Sequence, residues 1–520
     1  MKSLKKIRIL SRKSDLALIQ ARLVGSKLVE KFPDIDVEYI SRKTVGDIDL
    51  KTPLSEMGSA GVFTDDLRND LLINQCDIAV HSWKDLPLEL GVNTILAGSL
   101  KRDDQRDIIF VKKNKINQID KDKILTVLSS SPRRIYNLQT FIKNYLPFEL
   151  KKIIFKNIRG NIPSRFKKFL LDDYSDAIIM AKAAVDRLLD NNMEEFNSIA
   201  QVMKDNIDQC LWTITPLSQN PTSPGQGALG IEVKRENQEL IKMIEGISDR
   251  ETIQCVNQER EVLKQYGGGC HQKIGVSYVP SHFGLIQIKK GETEDGKQFY
   301  AFEKINDKKN FNLKINEKQI YPKSLKENKL FNRKYIQGSV KVINNLVNCC
   351  IWVSRNSALP PNAKINSQNI VWSSGLKTWK SLIQKGIWVN GTSDGMGENL
   401  DTNIETLTKN PWIKLTHSGA FETKIKKTIY TYALEKLPIS EDLSTKKFFY
   451  WMSSSSFDYV LEKFPKIIDG YHACGPGNTY EHIKKIITDQ GRLEVVLSFE
   501  AWKKKAIIIY IILSIRKIND

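Results

Sequence analysis

The stretch Ile124–Phe141, ILTVLSSSPRRIYNLQTF, passes from a β-branched apolar run through a serine-rich turn into a helical pattern, and that order decides the fold. Pro132 suits the first turn of a helix, where its missing N–H is no loss, and Ser131 before it suits a cap. The order recurs at Ile153–Leu171, IIFKNIRGNIPSRFKKFLL, and at the start of the chain. There KIRIL (6–10) precedes SDLALIQARLVGSKLVEKF (14–32), whose apolar residues Leu16, Ile19, Leu23 and Leu28 form a helical stripe ending before Pro33. VEYISRKT (37–44) reads as a strand, GDIDLKTPLSEMGSAGVF (46–63) as a mobile loop, and CDIAVHSWKDLP (76–87) as a buried strand with a polar end, His81 to Asp85, cut off by Pro87. Repeated strand–loop–helix units predict α/β domains with mainly parallel sheets, whose ligands sit at the carboxyl ends of the strands.

The chain has 520 residues, a length that suggests roughly three or four domains. Its 79 Lys and Arg against 60 Asp and Glu give a net charge of +19, which fits nucleic acid, a membrane surface or a polyanionic small molecule. The basic residues are spread out, with no basic tail, RNA-binding aromatic signature or zinc-finger spacing, so nothing supports nucleic acid. Seven scattered cysteines without a C-x-x-C pair argue for a reducing compartment and against a disulfide or zinc framework. The N-terminus lacks the apolar core of a secretory signal, and AIIIYIIL (506–513) is too short to span a membrane and reads as a terminal buried strand.

Three strand–helix corners carry the candidate chemistry. Arg12 and Ser14 flank the first, Ser130, Ser131, Arg133 and Arg134 the second, and Arg159 and Arg165 the third. A helix N-terminus offers unpaired N–H groups, and an arginine beside it adds a planar fork matched to carboxylate or phosphate. Converging, the three corners would form a cleft for a molecule with many carboxylates. Lys84 suits a further carboxylate. Asp85 is the one acid at a strand end in this basic set, placed either to oppose a cationic intermediate or to pair with a neighbouring arginine. In QYGGGCHQKIG (265–275), three glycines precede Cys270, so the sulfur is either a displayed thiol or an incidental residue of a turn.

Taken together, SRKSDLAL, GVFTDDL, DIAVHSWKDLP, SSSPRRIYNL, IRGNIPSR, SPGQGALGIE and GGGCHQKIG resemble, in order, the motifs of the porphobilinogen deaminase (hydroxymethylbilane synthase) family, over about Lys6 to residue 340. The resemblance implies two periplasmic-binding-protein-like lobes, 1–104 with 228–246 and 105–227, and a small α+β cofactor-anchoring domain, 247–340. It implies a dipyrromethane cofactor in thioether linkage to Cys270, with Lys84, Ser131, Arg133 and Arg134 as cofactor ligands. Arg12, Ser14, Arg159 and Arg165 fall on substrate ligands, and Asp85 on the catalytic aspartate. The implied reaction takes porphobilinogen through loss of ammonia to an azafulvenium cation, which the bound pyrrole chain attacks, four times, before water releases hydroxymethylbilane. The expected partner is this small-molecule substrate, with no metal, no nucleic acid and no membrane, in a cytoplasmic monomer. The chain departs from the family at Glu56 and Ala60, where lysines are common, and at Asp15, where proline is usual.

In residues 341–520, KFFYWMSSSSFDYVLEKFP (447–465) and YHACGPGNTYEHIKKII (471–487) are two more strand–turn–helix units. This α/β region resembles uroporphyrinogen-III synthase, with Ser453 to Ser456, Gly475 and Thr479 as candidate ligands and Asn478 where threonine is usual. The competing reading of the whole chain is a non-catalytic, two-lobed organic-anion-binding protein, which needs neither Cys270 nor Asp85.

Overall fold

The computed structural model describes residues 5–44, 64–190, 192–267, 272–305, 317–325, 329–421, 424–425, 427–489 and 491–504, and every count below is of these residues. They group into two compact units. The first takes residues 1–280, 287–301 and 403–408, the second 281–286, 302–402 and 409–520. The expected loop at 46–63, with Glu56 and Ala60, and the expected strand at 506–513 lie outside the described residues.

In the first unit β1 (Lys5–Arg12), β2 (Ile35–Arg42), β3 (Ile78–Ser82) and β4 (Thr94–Gly98) are followed by β5 (Asp107–Lys112), β6 (Ile124–Leu128), β7 (Lys152–Lys156), β8 (Ala177–Ala181) and β9 (Cys210–Ile214), and the chain then returns in β10 (Leu229–Lys234). One sheet has the order β2-β1-β3-β10-β4 and the other β7-β6-β8-β5-β9. The two are the same arrangement. In each, a single strand, β10 or β5, runs antiparallel to both neighbours while the first three are parallel. The reversed strand is the one by which the chain arrives from the other sheet. It enters from the side where the parallel strands end, so it must run against them. The expectation of mainly parallel sheets holds for four of the five strands in each sheet and misses the reversed one, because an apolar run carries no sign of its direction. The fold of this unit is a mixed α/β one with two lobes, one sheet to each.

Helices cover these sheets. The helix Asp15–Lys31 buries Ala17, Ile19, Gln20, Ala21, Val24, Gly25 and Leu28, a face turned from the expected stripe so that Leu16 and Leu23 are only half-buried. A Cβ on Gly25 would come within 2.1 Å of the Tyr39 hydroxyl, so the helix lies directly on β2. With Ile7, Ile9, Ile78, Ile231 and Leu240 this face makes one core cluster. In the second lobe β5 is buried along its whole length, and Phe166 packs on Phe110 at 5.0 Å between ring centres.

The two passages between lobes run side by side and are sewn together. Arg102 Nε donates to Gln226 O at 2.8 Å, Gln226 Nε2 to Gln105 O at 2.7 Å, and Asp103 N to Gly227 O at 3.2 Å. Gly227 has φ +87°, and a Cβ there would meet Asp103 O at 2.6 Å, so only glycine admits the contact. The helix Arg250–Gln265 leads to a sheet of β11 (Gly275–Ser281), β12 (Gly284–Glu292) and β13 (Gln298–Ile305). That helix sends Glu259, fully buried, to the crossings. Its carboxylate accepts from Arg102 Nη1 and Nη2 at 2.7 and 3.0 Å, from Gly225 N at 2.8 Å and from Tyr278 N at 2.9 Å.

In the second unit β14 (Ile320–Tyr321), β15 (Phe331–Tyr335), β16 (Cys350–Val353), β17 (Ile370–Ser373), β18 (Gly391–Thr392), β19 (Trp412–His417), β20 (Lys427–Lys436), β21 (Phe448–Trp451), β22 (Tyr471–Cys474) and β23 (Leu493–Val495) form two sheets, ordered β15-β20-β19-β16-β17-β18 and β14-β21-β22-β23. Here too the chain starts one sheet, builds the other and returns. The boundary expected at residue 340 is therefore misplaced. β14 pairs with β21 and β15 with β20, so residues from at least Ile320 belong with the C-terminal sheets. Both are short runs that bury nothing alone and gain their structure from partners about a hundred residues later in sequence, a long-range pairing that local pattern does not reveal.

The Glu259 linkage gives a stability prediction. Glu259→Ala leaves both terminal guanidinium nitrogens of Arg102 and two amides without their acceptor, a loss on the order of 3–5 kcal/mol. The urea midpoint of the first unit's transition should fall accordingly; an unchanged midpoint would mean that the crossings are held by the backbone bonds alone.

Candidate active site

The carboxyl ends of β1, β3, β6 and β7 carry the predicted residues. Arg12 is the last residue of β1, and Ser14 caps the next helix, its hydroxyl accepting from Ala17 N at 3.4 Å. Asp15, where the family has proline, sits in that helix's first turn. Lys84 and Asp85 lie in a single 3-10 turn, Trp83–Asp85, fixed by the buried Trp83 ring and by the backbone N–H of Trp83 donating to Ala228 O at 3.0 Å. Ser131 caps Pro132–Tyr145 and accepts from Arg134 N at 3.4 Å. The Ser130 hydroxyl donates to Ile158 O and accepts from Ile158 N, both at 2.8 Å, tying the second corner to the third. In the third corner Arg165 Nε donates to Gly160 O at 2.6 Å, which folds the guanidinium back over the turn after Arg159.

Electrostatics brings these corners into one field. Burial pushes the Arg165 guanidinium down to about 10, helped by Arg134, Arg159 and Arg12 and opposed by Asp85. Burial likewise pushes the Lys84 ammonium down to about 8, with Arg134 and Arg133 adding to the fall and Asp85 and Asp107 opposing it. Such a cluster of cations around one acid is relieved by a ligand with several carboxylates.

Asp107, the first residue of β5, was not anticipated, and it organises the second corner. Its fully buried carboxylate accepts from Arg133 Nη2 at 2.8 Å, Arg134 Nη2 at 2.7 Å, Asn220 Nδ2 at 2.9 Å and Gln226 Nε2 at 2.8 Å. Despite the cost of burial, Arg134 and Arg133 hold it far below the usual carboxylate range. Gln226 was missed as well. Its Oε1 accepts from Lys84 Nζ at 3.3 Å, so one amide links that lysine to Asp107. The available signal was an acid heading the apolar run IIFV of the strand DIIFVK, in a chain with two adjacent arginines that need a counter-charge.

Arg133 and Arg134 therefore differ. Arg133 also donates from Nη1 to Asn220 Oδ1 and Pro221 O, both at 2.9 Å, and from Nε to Ser223 Oγ at 3.3 Å. Its fork is occupied by protein, which departs from the expectation of a cofactor ligand. Arg134 keeps a buried Nε with no protein acceptor.

Cys270 lies outside the described residues. The helix before it ends at Gln265, Gly267 follows in a turn with φ +88°, and Gln272 Nε2 donates back to Tyr266 O at 2.6 Å. The remaining six cysteines are all buried. Burial pushes the Cys76, Cys210 and Cys474 thiols up to about 12 and Cys255 to about 11, which suppresses their nucleophilic thiolates.

In the second unit a cavity of about 190 Å³ is lined by Arg355, Lys414, His417, Glu398 and a run of hydroxyls that includes Ser453, Ser454, Ser455 and Thr479. Ser453 caps the helix Ser454–Lys463, accepting from Ser456 N at 3.2 Å. Ser456 and Gly475, also anticipated, do not line this cavity.

The first unit yields two predictions, both for the Cys270→Ala protein, which lacks the thiol expected to anchor a covalent occupant. Lys84 is charged below about pH 8 and loses its proton above it, so affinity for benzenetetracarboxylate should fall as pH rises through that value; Lys84→Arg should flatten the alkaline fall. A fall that persists in Lys84→Arg would assign it elsewhere. In the same titration Arg134→Lys should weaken binding by about tenfold or more, whereas Arg133→Lys should leave affinity near wild type and cost roughly 1–3 kcal/mol of stability. The reverse pattern would return Arg133 to the ligand set.

Comparison with known proteins agrees with this geometry. Residues 7–242 match the family model "Porphobilinogen deaminase, dipyromethane cofactor binding domain". The porphobilinogen deaminase of Prochlorococcus marinus subsp. pastoris is 31% identical over 343 residues, 66% of this chain and 96% of that protein. That of Chlorobaculum parvum is 35% identical over 284 residues, 54% of this chain and 82% of its own length. A solved structure, the periplasmic aliphatic sulphonate binding protein of Escherichia coli, matches at 11% identity and TM-score 0.26 over 51% of this chain and 70% of its own. With cationic corners around an acid, and a relative matched over nearly its full length, the chain belongs to the porphobilinogen deaminase family, whose matched domain binds a dipyrromethane cofactor.

Proposed function

We propose that the first unit joins four porphobilinogen molecules into hydroxymethylbilane on a dipyrromethane held by Cys270, and that the second unit closes this product as a uroporphyrinogen-III synthase. The observation that carries the first part is the shared field of Arg12, Lys84, Asp85, Arg134, Arg159 and Arg165. A dipyrromethane bears four carboxylates and two pyrrole N–H groups. The residues fit it: the unpartnered Nε of Arg134, with Lys84 and the Ser131 corner, offers donors for carboxylates, and Asp85 offers an acceptor for N–H. When bound, the cofactor supplies the nucleophilic pyrrole carbon on which the chain is built.

The chain's own residues do the rest. Arg12, Ser14, Arg159 and Arg165 hold the acetate and propionate of porphobilinogen, orienting its aminomethyl carbon. Asp85 opposes the positive charge that grows on the pyrrole as ammonia leaves, an interaction stronger in the transition state than before it. Arg133 acts through Asp107, keeping the crossings and Arg134 in place. The chain works as a monomer in the cytoplasm; among the described residues no helix is long and apolar enough to cross a membrane. Membership of an enzyme family tells against the non-catalytic anion-binding reading.

Intact-mass measurement tests the anchor. Wild type should carry a dipyrromethane adduct and Cys270→Ala should be folded and free of it; an adduct-bearing, fully active Cys270→Ala protein would sink the assignment. Asp85→Asn should keep the adduct and lose about 10²–10³-fold or more in turnover. For the second unit, the cavity's hydroxyls and cations suit a chain of pyrrole carboxylates, and closing it is largely a matter of orientation. The whole protein fed porphobilinogen should then yield mainly the type III isomer after oxidation, and pure type I would remove this second activity.

A further inference from the structure

The cavity of the second unit contains a feature that carboxylate binding does not explain. Glu398 is the one acid among its described lining residues, set among Arg355, Lys414 and hydroxyls. Its side chain is only 6% exposed and that of Lys414 only 4%, with Lys414 Nζ 2.8 Å from Glu398 Oε1. The Asn478 amide also donates to Oε1. Oε2, by contrast, is buried and has no partner, and the Ser354 hydroxyl in the same wall is likewise unpartnered. Leaving a buried carboxylate oxygen without a donor is costly, and such sites call for a ligand that supplies one.

The backbone explains how Glu398 is held. Gly397 follows β18 and Gly477 follows β22, so they come from the two different sheets of this unit. Both have positive φ, +94° and +92°, and a Cβ on either would lie 2.8 or 2.9 Å from the other's Cα. Two glycines thus let the strands' loops touch, and Glu398 and Asn478 are the next residues on each side. The carboxylate sits at the seam where the sheets meet, with one oxygen used to join them and the other left over.

We infer that Glu398 Oε2 accepts a pyrrole N–H of the linear tetrapyrrole and opposes the cation that develops on that ring during closure, an inference that rests on the reading of the second unit as a uroporphyrinogen-III synthase. A carboxylate repels the substrate's own acetates and propionates, so it must face a part of the substrate that donates protons, and the pyrrole N–H groups are the donors. In the step concerned, the C–O bond of the hydroxymethyl group breaks and its electron pair leaves with oxygen, which takes a proton from the solvent and departs as water. The pyrrole nitrogen lone pair fills the deficit at carbon, placing positive charge on the N–H. The substituted α-carbon of the terminal pyrrole bonds to the cationic methylene carbon first, giving a spiro centre; the older bond from that centre to its own methylene then breaks, leaving the cation on the neighbouring ring, whose methylene carbon bonds to the free α-carbon of the terminal pyrrole. The proton shed there as aromaticity returns restores the one consumed, so the net change is loss of one water with the terminal ring inverted. Glu398 takes no part in either proton transfer. His417, pushed down to about 4 by burial and by Arg355 and Lys414, is neutral near pH 7 and adds no competing charge.

The test uses the full chain with Glu398→Gln. Glutamine keeps a carbonyl oxygen for Lys414 and Asn478 but replaces the free acceptor with a donor. Wild type fed porphobilinogen should give mainly type III product; Glu398→Gln should lower the type III to type I ratio by about tenfold or more, while affinity for uroporphyrin III, followed by fluorescence quenching, stays within about threefold. Glu398→Asp, which keeps the charge, should recover part of the ratio and guards against a folding defect in the first variant. An unchanged ratio in Glu398→Gln overturns the inference and leaves the synthase reading standing. Equal loss of uroporphyrin affinity and of type III product in both variants also overturns it, since the residue would then only join the sheets. Type I product from wild type overturns the synthase reading and this inference with it.

Discussion

The buried carboxylate of Asp107 is the point on which the first unit turns. Four donors reach it from two places: two arginines at the head of Pro132–Tyr145, and Asn220 and Gln226 from the returning passage between lobes. A buried acid of this kind is tolerated only when its lone pairs are filled, and here filling them positions the site. Gln226 reaches on to Lys84, so the lysine beside Asp85 is placed by the same carboxylate that places Arg134. Glu259 repeats the device from the helix Arg250–Gln265, gripping Arg102 and Gly225 on the two passages. Cationic side chains that would repel one another are thus kept together by acids set behind them, leaving their free edges for an anion.

Much of this was legible in sequence because it is local. Strand, polar corner and capped helix appear within twenty residues, so Arg12, Ser14, Ser131, Arg159 and Arg165 can be placed at strand ends without knowing the sheet order. What stayed hidden is non-local. The direction of β5 and β10 follows from which lobe the chain comes from, not from their apolar residues. The occupied fork of Arg133 depends on Asn220 and Pro221, more than eighty residues away. The expected stripe on the first helix was out of phase because Ala17, Ala21 and Gly25 allow close approach to the sheet, leaving the larger Leu16 and Leu23 at its margin. β14 and β15 were assigned to the wrong domain for the same reason: their partners lie far along the chain.

On the functions proposed for them, the two sites meet a common chemical problem with different means. A pyrrole bearing two carboxylates must be held by cations, yet its reacting ring becomes a cation itself. In the first unit one acid, Asp85, shares a field with Arg165, Arg134, Arg159 and Arg12, of which Arg134 is braced by Asp107 and Arg165 by Gly160 O. In the second, Glu398 stands against Lys414 at the contact of two loops, so its charge is balanced on one oxygen and available on the other.

The returning strands also set an order of assembly. β4 ends at Gly98, but its neighbour β10 begins only at Leu229, while the sheet of the second lobe is complete once Ile214 has been made. During synthesis the inserted lobe can close first, and the first lobe waits with β3 and β4 unbridged until the chain comes back. The second unit repeats this, since β14 at Ile320–Tyr321 has no partner until Phe448. Each half of the protein is therefore finished from the inside outward, and a ribosome pausing before residue 229 or residue 448 would expose an unpaired strand edge open to mispairing.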